Sequence, residues 1–169
     1  NSSQSGADGF NTQNSVLFNQ QVSINATSFP TMWWGYPHLP NSGLVKEIIS
    51  NGFNFKGRVH DCMRLHYPRD TGLDGMSYGV DTTVTPSTAH TVSFYAKAAN
   101  AAGVGRSISY QIYNYTGGSA AGYSFSFTLT NTWQKYSMTF TPAYGTCISY
   151  WFSNDSASYS WDLSEIMFN

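Results

Sequence analysis

The side chains best equipped to do chemistry in this chain are aromatic and amide-bearing, and they recur at every second position. In SISYQIYNY (107–115), Gln111, Tyr113 and Tyr115 fall on one side, with Ile108, Tyr110 and Ile112 on the other. TCISYWFS (146–153) reads with Ile148, Tyr150 and Phe152 inward, which turns Trp151 outward. In TVSFYAKA (91–98), Tyr95 and Lys97 alternate with Val92, Phe94 and Ala96. In VHDCMRLHY (59–67), His60, Arg64 and His66 oppose Val59, Met63 and Leu65. Trp33 and Trp34 are adjacent, so one turns in and the other out; Trp34 is the outward candidate. A large ring on a solvated sheet face forgoes core contact and regains contact only from a partner. Period two is what allows this sorting by face.

Catalytic constellations are thin. Cleavage of a glycosidic bond calls for two carboxylates facing one another across a cleft. The chain has nine Asp and Glu, and Asp8, Asp70, Asp74, Asp81 and Asp155 fall in turn-rich stretches. Tyr113, His66 and Arg64 could imitate the Tyr/His/Arg set of a polysaccharide lyase, a less favoured reading. The sequence contains no Gly-x-Ser-x-Gly elbow, phosphate loop or zinc motif. His60 and His66 flank Arg64 but have no third ligand at a metal-binding spacing. Cys62 and Cys147 are far apart in sequence, and a bridge between them requires their strands to be neighbours. Asn1, Asn25, Asn114 and Asn154 head Asn-x-Ser/Thr triplets, which a chain rich in these residues also produces by chance.

The elements that must position these groups are short strands. The 169 residues fit one domain, and 17 % are aromatic while only 10 % are charged. With a formal net charge of -1 there is no basic stripe for a phosphate backbone, so nucleic acid is not an expected partner. No apolar run reaches membrane-spanning length, so membrane insertion is not expected. Residues 1–14 read as a flexible polar tail and 15–169 as one domain opening with a strand at 15–25. The stretch 26–57 is the least regular, with a helical turn or strand near Val45 to Ile49. About nine period-two segments separated by Gly, Pro, Asn or Ser turns predict an all-β, two-sheet antiparallel sandwich of jelly-roll form. A chain opening on Asn1 reads as a domain excised from, or attached to, a larger protein.

Three phrases occur in order: TPSTAHTVSFYAKA (85–98), TNTWQKYSMTFTP (130–142) and SWDLSEIMFN (160–169). Together they resemble the jelly-roll carbohydrate-binding modules appended to xylanases and glucanases, which also occur in bacteriophage baseplates and tail fibres. The resemblance implies a galactose-binding-like sandwich that is not itself an enzyme. It implies an extracellular or virion-surface location, and a polysaccharide or host-surface glycan held on an aromatic-lined concave sheet. A pyranose presents a C–H patch that stacks on an aromatic ring, while its hydroxyls need groups that donate and accept. Trp151, Tyr113, Tyr115, Gln111, Tyr95, Lys97, Arg64, His66 and Trp34 are then the expected contacts. Trp133 is expected in the core. The resemblance also implies a structural calcium, with Glu165 and Asp162 as candidate ligands, although Ser164 and Glu165 stand where the family pairs two Asp. The competing reading is a structural or adhesin domain of a fibre. Its aromatic face would be covered by another domain or a second copy, with no sugar contact.

Overall fold

The computed structural model describes residues 33–36, 45–67, 74–153 and 158–168. The expected tail at 1–14 and strand at 15–25 lie outside the described residues. Ten strands follow in chain order: β1 (Trp33–Tyr36), β2 (Val45–Phe55), β3 (Arg58–Tyr67), β4 (Asp74–Thr83) and β5 (His90–Ala98), then β6 (Ser107–Thr116), β7 (Ser119–Thr128), β8 (Gln134–Phe140), β9 (Thr146–Ser153) and β10 (Tyr159–Phe168). A single 3-10 turn, Ala101–Gly103, is the only helical element among the described residues.

The strands form two antiparallel sheets. Sheet A runs β1-β4-β9-β6-β7 and sheet B runs β2-β3-β10-β5-β8. Consecutive segments repeatedly cross between sheets, as in a jelly roll. The core lies between them, where sheet A contributes Ile108, Tyr110, Ile112, Phe127 and Trp151, and sheet B contributes Met63, Leu65, Phe94, Trp161 and Leu163. In β6 and β9 every second residue is buried, the outcome that period two demands of a strand with one covered face.

At three places the structure decides what the sequence leaves open or overturns it. Near Val45 to Ile49, where a helical turn or a strand is expected, the chain is strand, which continues to Phe55 through a register shift between Ile49 and Phe53. Asn51 takes φ 54 in that bulge, a conformation Asn tolerates better than most residues. Beside it, a Cβ on Gly52 would come within 2.5 Å of the Cys62 sulfur, so only glycine fits.

The second place, β9, is a correction. Its inward residues are Cys147, Ser149, Trp151 and Ser153, and Trp151 is fully buried. Its indole packs 4.6 Å from the Tyr110 ring and 6.2 Å from Phe94. The expectation of an outward Trp151 is therefore corrected. Ile148 and Tyr150 look like the inward pair on hydropathy alone, but Tyr110 decides the phase. Its buried hydroxyl meets the Ser149 hydroxyl at 3.0 Å, so a serine is what the core requires there.

The third is the cysteines. Cys62 belongs to sheet B and Cys147 to sheet A, and both are free and buried. Burial pushes the Cys62 thiol up to about 12, helped by Asp162, and the Cys147 thiol up to about 11. Asn114, which heads one of the Asn-x-Thr triplets, is also inward and fully buried. Its amide donates to the Tyr144 and Thr146 carbonyls at 2.8 and 2.9 Å. Its oxygen accepts from the Ala143 and Tyr144 amides at 2.9 and 2.8 Å. Asn114 thus clamps the turn that feeds β9.

Candidate functional site

The outer face of sheet A collects four of the nine expected contacts. On β6 the outward residues are Gln111, Tyr113 and Tyr115, because Ile108, Tyr110, Ile112 and Asn114 take the inward positions. Tyr113 is 46 % exposed, and its ring centroid lies 5.2 Å from that of Tyr115 at a tilt of 34°. Backbone register aligns one row across all five strands: Trp34, Ser77, Tyr150, Gln111 and Ser124. Trp34 therefore occupies a register position on the same face as Gln111. Tyr150, which sequence reading sent inward, joins this face and replaces Trp151 on it.

The residues of β7 that stand opposite the tyrosines are small. Opposite Tyr113 is Gly122, opposite Tyr115 is Ala120, and opposite Gln111 is Ser124. A Cβ on Gly122 would meet nothing within 4 Å. Tall phenol rings on one strand beside small side chains on the next make a step, with open space over the lower tread. On the other side, Ile148 of β9 pairs with Tyr113. The described outward side chains of β6, β7 and β9 offer stacking and neutral hydrogen bonding.

The remaining expected contacts, Tyr95, Lys97, Arg64 and His66, are on the outer face of sheet B, across the full thickness of the sandwich. They do not join the tyrosine step. The Tyr113–His66–Arg64 set of the lyase reading is consequently split between opposite faces.

Sheet B ties its outward residues together. Register sets Asp162 of β10 between Arg64 of β3 and Lys97 of β5. The Arg64 guanidinium grips the buried carboxylate with two bonds, 2.7 and 3.0 Å, and the Lys97 ammonium stands 3.2 Å away. His66 bonds Ser160 through Nδ1 at 3.0 Å and Ser158 through Nε2 at 3.3 Å. Glu165 takes φ 48 in a β10 bulge, which turns it outward. It meets Arg58 at 3.0 Å and His60 Nε2 at 2.9 Å.

Above this network lies a second apolar cluster of Phe53, Cys62 and Trp133, with Ile49, Phe55 and Tyr95 packed against it. Trp133 is buried as expected, but on the outside of sheet B, edge-on to Phe53 at 4.9 Å. Tyr95 sits 5.1 Å from Phe53 with the Arg58 guanidinium 5.4 Å from its ring. The bulge at Asn51 is what brings Phe53 back over the sheet. A sequence scan misses it because the bulge breaks the alternation.

Asp162 and Glu165 do not fit a calcium site. Calcium takes six to eight oxygen ligands, whereas both carboxylates are already engaged, one by Arg64 and Lys97, the other by Arg58 and His60. No group of three or more His, Cys, Asp or Glu able to hold a metal gathers among the described residues.

The described residues thus form a two-sheet jelly roll whose outer sheet A face carries the exposed Tyr113 beside Tyr115. The family described as "Carbohydrate binding domain" matches residues 65–153, more than half of the chain, and the chain belongs to that family. The matched stretch includes β6 and β9, which carry most of the tyrosine face. No curated protein matches the chain.

Solved structures share the fold. The CBM22-1 xylan-binding domain from Paenibacillus barcinonensis aligns with a TM-score of 0.60 at 15 % identity, over 81 % of this chain and 84 % of that one. The family 11 carbohydrate-binding module from Clostridium thermocellum, solved with a β-1,3-1,4-mixed-linked tetrasaccharide, gives 0.57 at 13 % identity, over 85 % and 91 %. The enzymatically active domain of tailspike protein 4 of bacteriophage CBA120 gives 0.56 at 12 % identity and is matched over 82 % of this chain. The chain spans 19 % of that tailspike chain's length. At such identities the likeness is one of fold.

Proposed function

We propose that this carbohydrate-binding domain holds a polysaccharide or cell-surface glycan across the outer face of sheet A, without catalysing its cleavage. The observation that carries the reading is the pair Tyr113 and Tyr115 standing beside the small residues of β7, with Tyr113 nearly half exposed. A pyranose laid in that step stacks its C–H face on the Tyr113 ring. Gln111 offers an amide that both donates and accepts, and the Ser124 hydroxyl across from it does the same. Tyr150 and Trp34 extend the row along the direction a chain of sugars would follow.

The fold shared with a xylan-binding domain and with a mixed-linkage glucan complex supports a plant-type polysaccharide. The fold shared with a phage tailspike supports a host-surface glycan displayed on a virion. Either reading fits a domain outside the cell, attached to a larger protein. The test is a glycan array probed with the wild-type domain and with Tyr113→Ala. Binding to a defined glycan family is expected, and the variant should lose roughly 1–3 kcal/mol of affinity, tenfold or more over most of that range. Unchanged affinity in the variant removes the ligand from this face.

A further inference from the structure

Sheet B carries a pocket of about 400 Å³ that the tyrosine face does not use. That volume lies within the range of small-molecule sites. It opens between the end of β2 and the loop entering β8, with Phe55 and Trp133 as its aromatic walls. Asn54, Asn131 and Gln134 add amides around them. Asn54 and Asn131 spend their side chains on no hydrogen bond among the described residues.

The charges at this pocket are positive. Lys97 is the only charged residue of its lining, with Nζ 5.6 Å from the Trp133 ring centre. Lys56 stands outside the lining with Nζ 5.2 Å from the Phe55 ring centre, and makes no ion pair among the described residues. Lys97 is loosely engaged. Its contacts with Asp162 and the Ala98 carbonyl measure 3.2 and 3.3 Å, longer than the 2.7–2.9 Å of a strong charge-assisted bond. Arg64 already grips both Asp162 oxygens, so the ammonium can turn toward a ligand while the buried carboxylate keeps a counter-ion.

We infer that this pocket is a second binding site, on the face opposite the tyrosines, taking a sugar that bears a carboxylate, such as a uronate residue. The aromatic walls suit the C–H face of the ring, the amides suit its hydroxyls, and Lys97 with Lys56 suits its carboxylate. A neutral sugar would leave Lys56 with no anion among the described residues and Lys97 with only its share of Asp162.

Calorimetric titration with a glucuronate-containing oligosaccharide, alongside its carboxyl-reduced neutral counterpart, tests this. The titrations use the full chain carrying Tyr113→Ala, so that the sheet A face is disabled. The acidic sugar should still bind, the neutral one should not, and binding should weaken as salt rises from about 50 to about 300 mM. Lys97→Met, which keeps a chain over Trp133, should lower affinity about tenfold. Lys56→Met and Asn131→Ala touch no ion pair and should each lower it several-fold, which keeps the test alive should Lys97→Met unfold. Equal binding of the neutral sugar, no binding of either, or no response to any of the three pocket variants would overturn the inference. Loss of acidic-sugar binding in Tyr113→Ala alone would also overturn it, by assigning that ligand to sheet A. Failure of the sheet A reading registers separately, as neutral-glycan binding that Tyr113→Ala leaves intact.

Discussion

The two outer faces of this sandwich obey the same alternation and end in opposite states. On sheet A, the outward Gln111 and Tyr113 of β6 are exposed, with small neighbours on β7. On sheet B, outward means covered. Cys62 and Asp162 point away from the core and are almost completely buried, one beneath the Phe53 bulge and the other between two cations. Period two assigns a face, but the neighbouring strand decides whether that face is wet. A strand of Gly, Ala and Ser leaves a platform, whereas a bulged strand rich in Phe makes a second small core.

The contrast can be broken by substitution. The largest effect is expected from Trp151→Ala, because the indole is a central member of the core. It should lose about 3–5 kcal/mol of unfolding free energy, read by chemical denaturation. A loss under about 1 kcal/mol would mean that β9 presents the indole outward after all. Asp162→Asn comes next, at about 3 kcal/mol, since it strips a buried anion from Arg64 and Lys97. That figure is the low end for a broken buried pair, because both cations keep some solvent contact. If Asp162→Asn is neutral, the outer face of sheet B is wetter than described.

A smaller, pH-dependent effect comes from Cys62. In the unfolded chain its thiol ionises near the ordinary 9.0, while in the fold burial holds it protonated up to about 12. The unfolded state therefore releases the proton first, and stability falls as pH rises from about 9 toward about 12. Below that window the thiol adds no pH dependence. Cys62→Ala should flatten the alkaline slope relative to wild type, measured as denaturation midpoints at several pH values. Identical slopes would place Cys62 in contact with water.

Much of this was readable in the residues. The limits of β9 and β10 match the alternating segments, and those of β3, β5 and β6 lie within a residue of them. The outward assignment of Gln111, Tyr113 and Tyr115 also follows from Ile108 and Ile112 alone. The β9 phase was not readable by hydropathy, since Cys147, Ser149 and Ser153 look less apolar than Ile148 and Tyr150. It was readable only by asking what a buried Tyr110 hydroxyl would bond. Strand order was hidden altogether. Nothing local in TVSFYAKA or VHDCMRLHY says that Lys97 and Arg64 share a sheet with each other and not with Tyr113. Pairing partners are set by the chain's path between sheets, and alternation carries no record of it.

The most direct trial is to titrate an array-selected neutral oligosaccharide into isotopically labelled domain and follow which backbone amide resonances move. Perturbations should cluster on β6, β7 and β9 around Gln111, Tyr113, Tyr115, Gly122 and Tyr150. Movement confined to β2, β3, β5 and β8, with those five positions silent, would contradict the account.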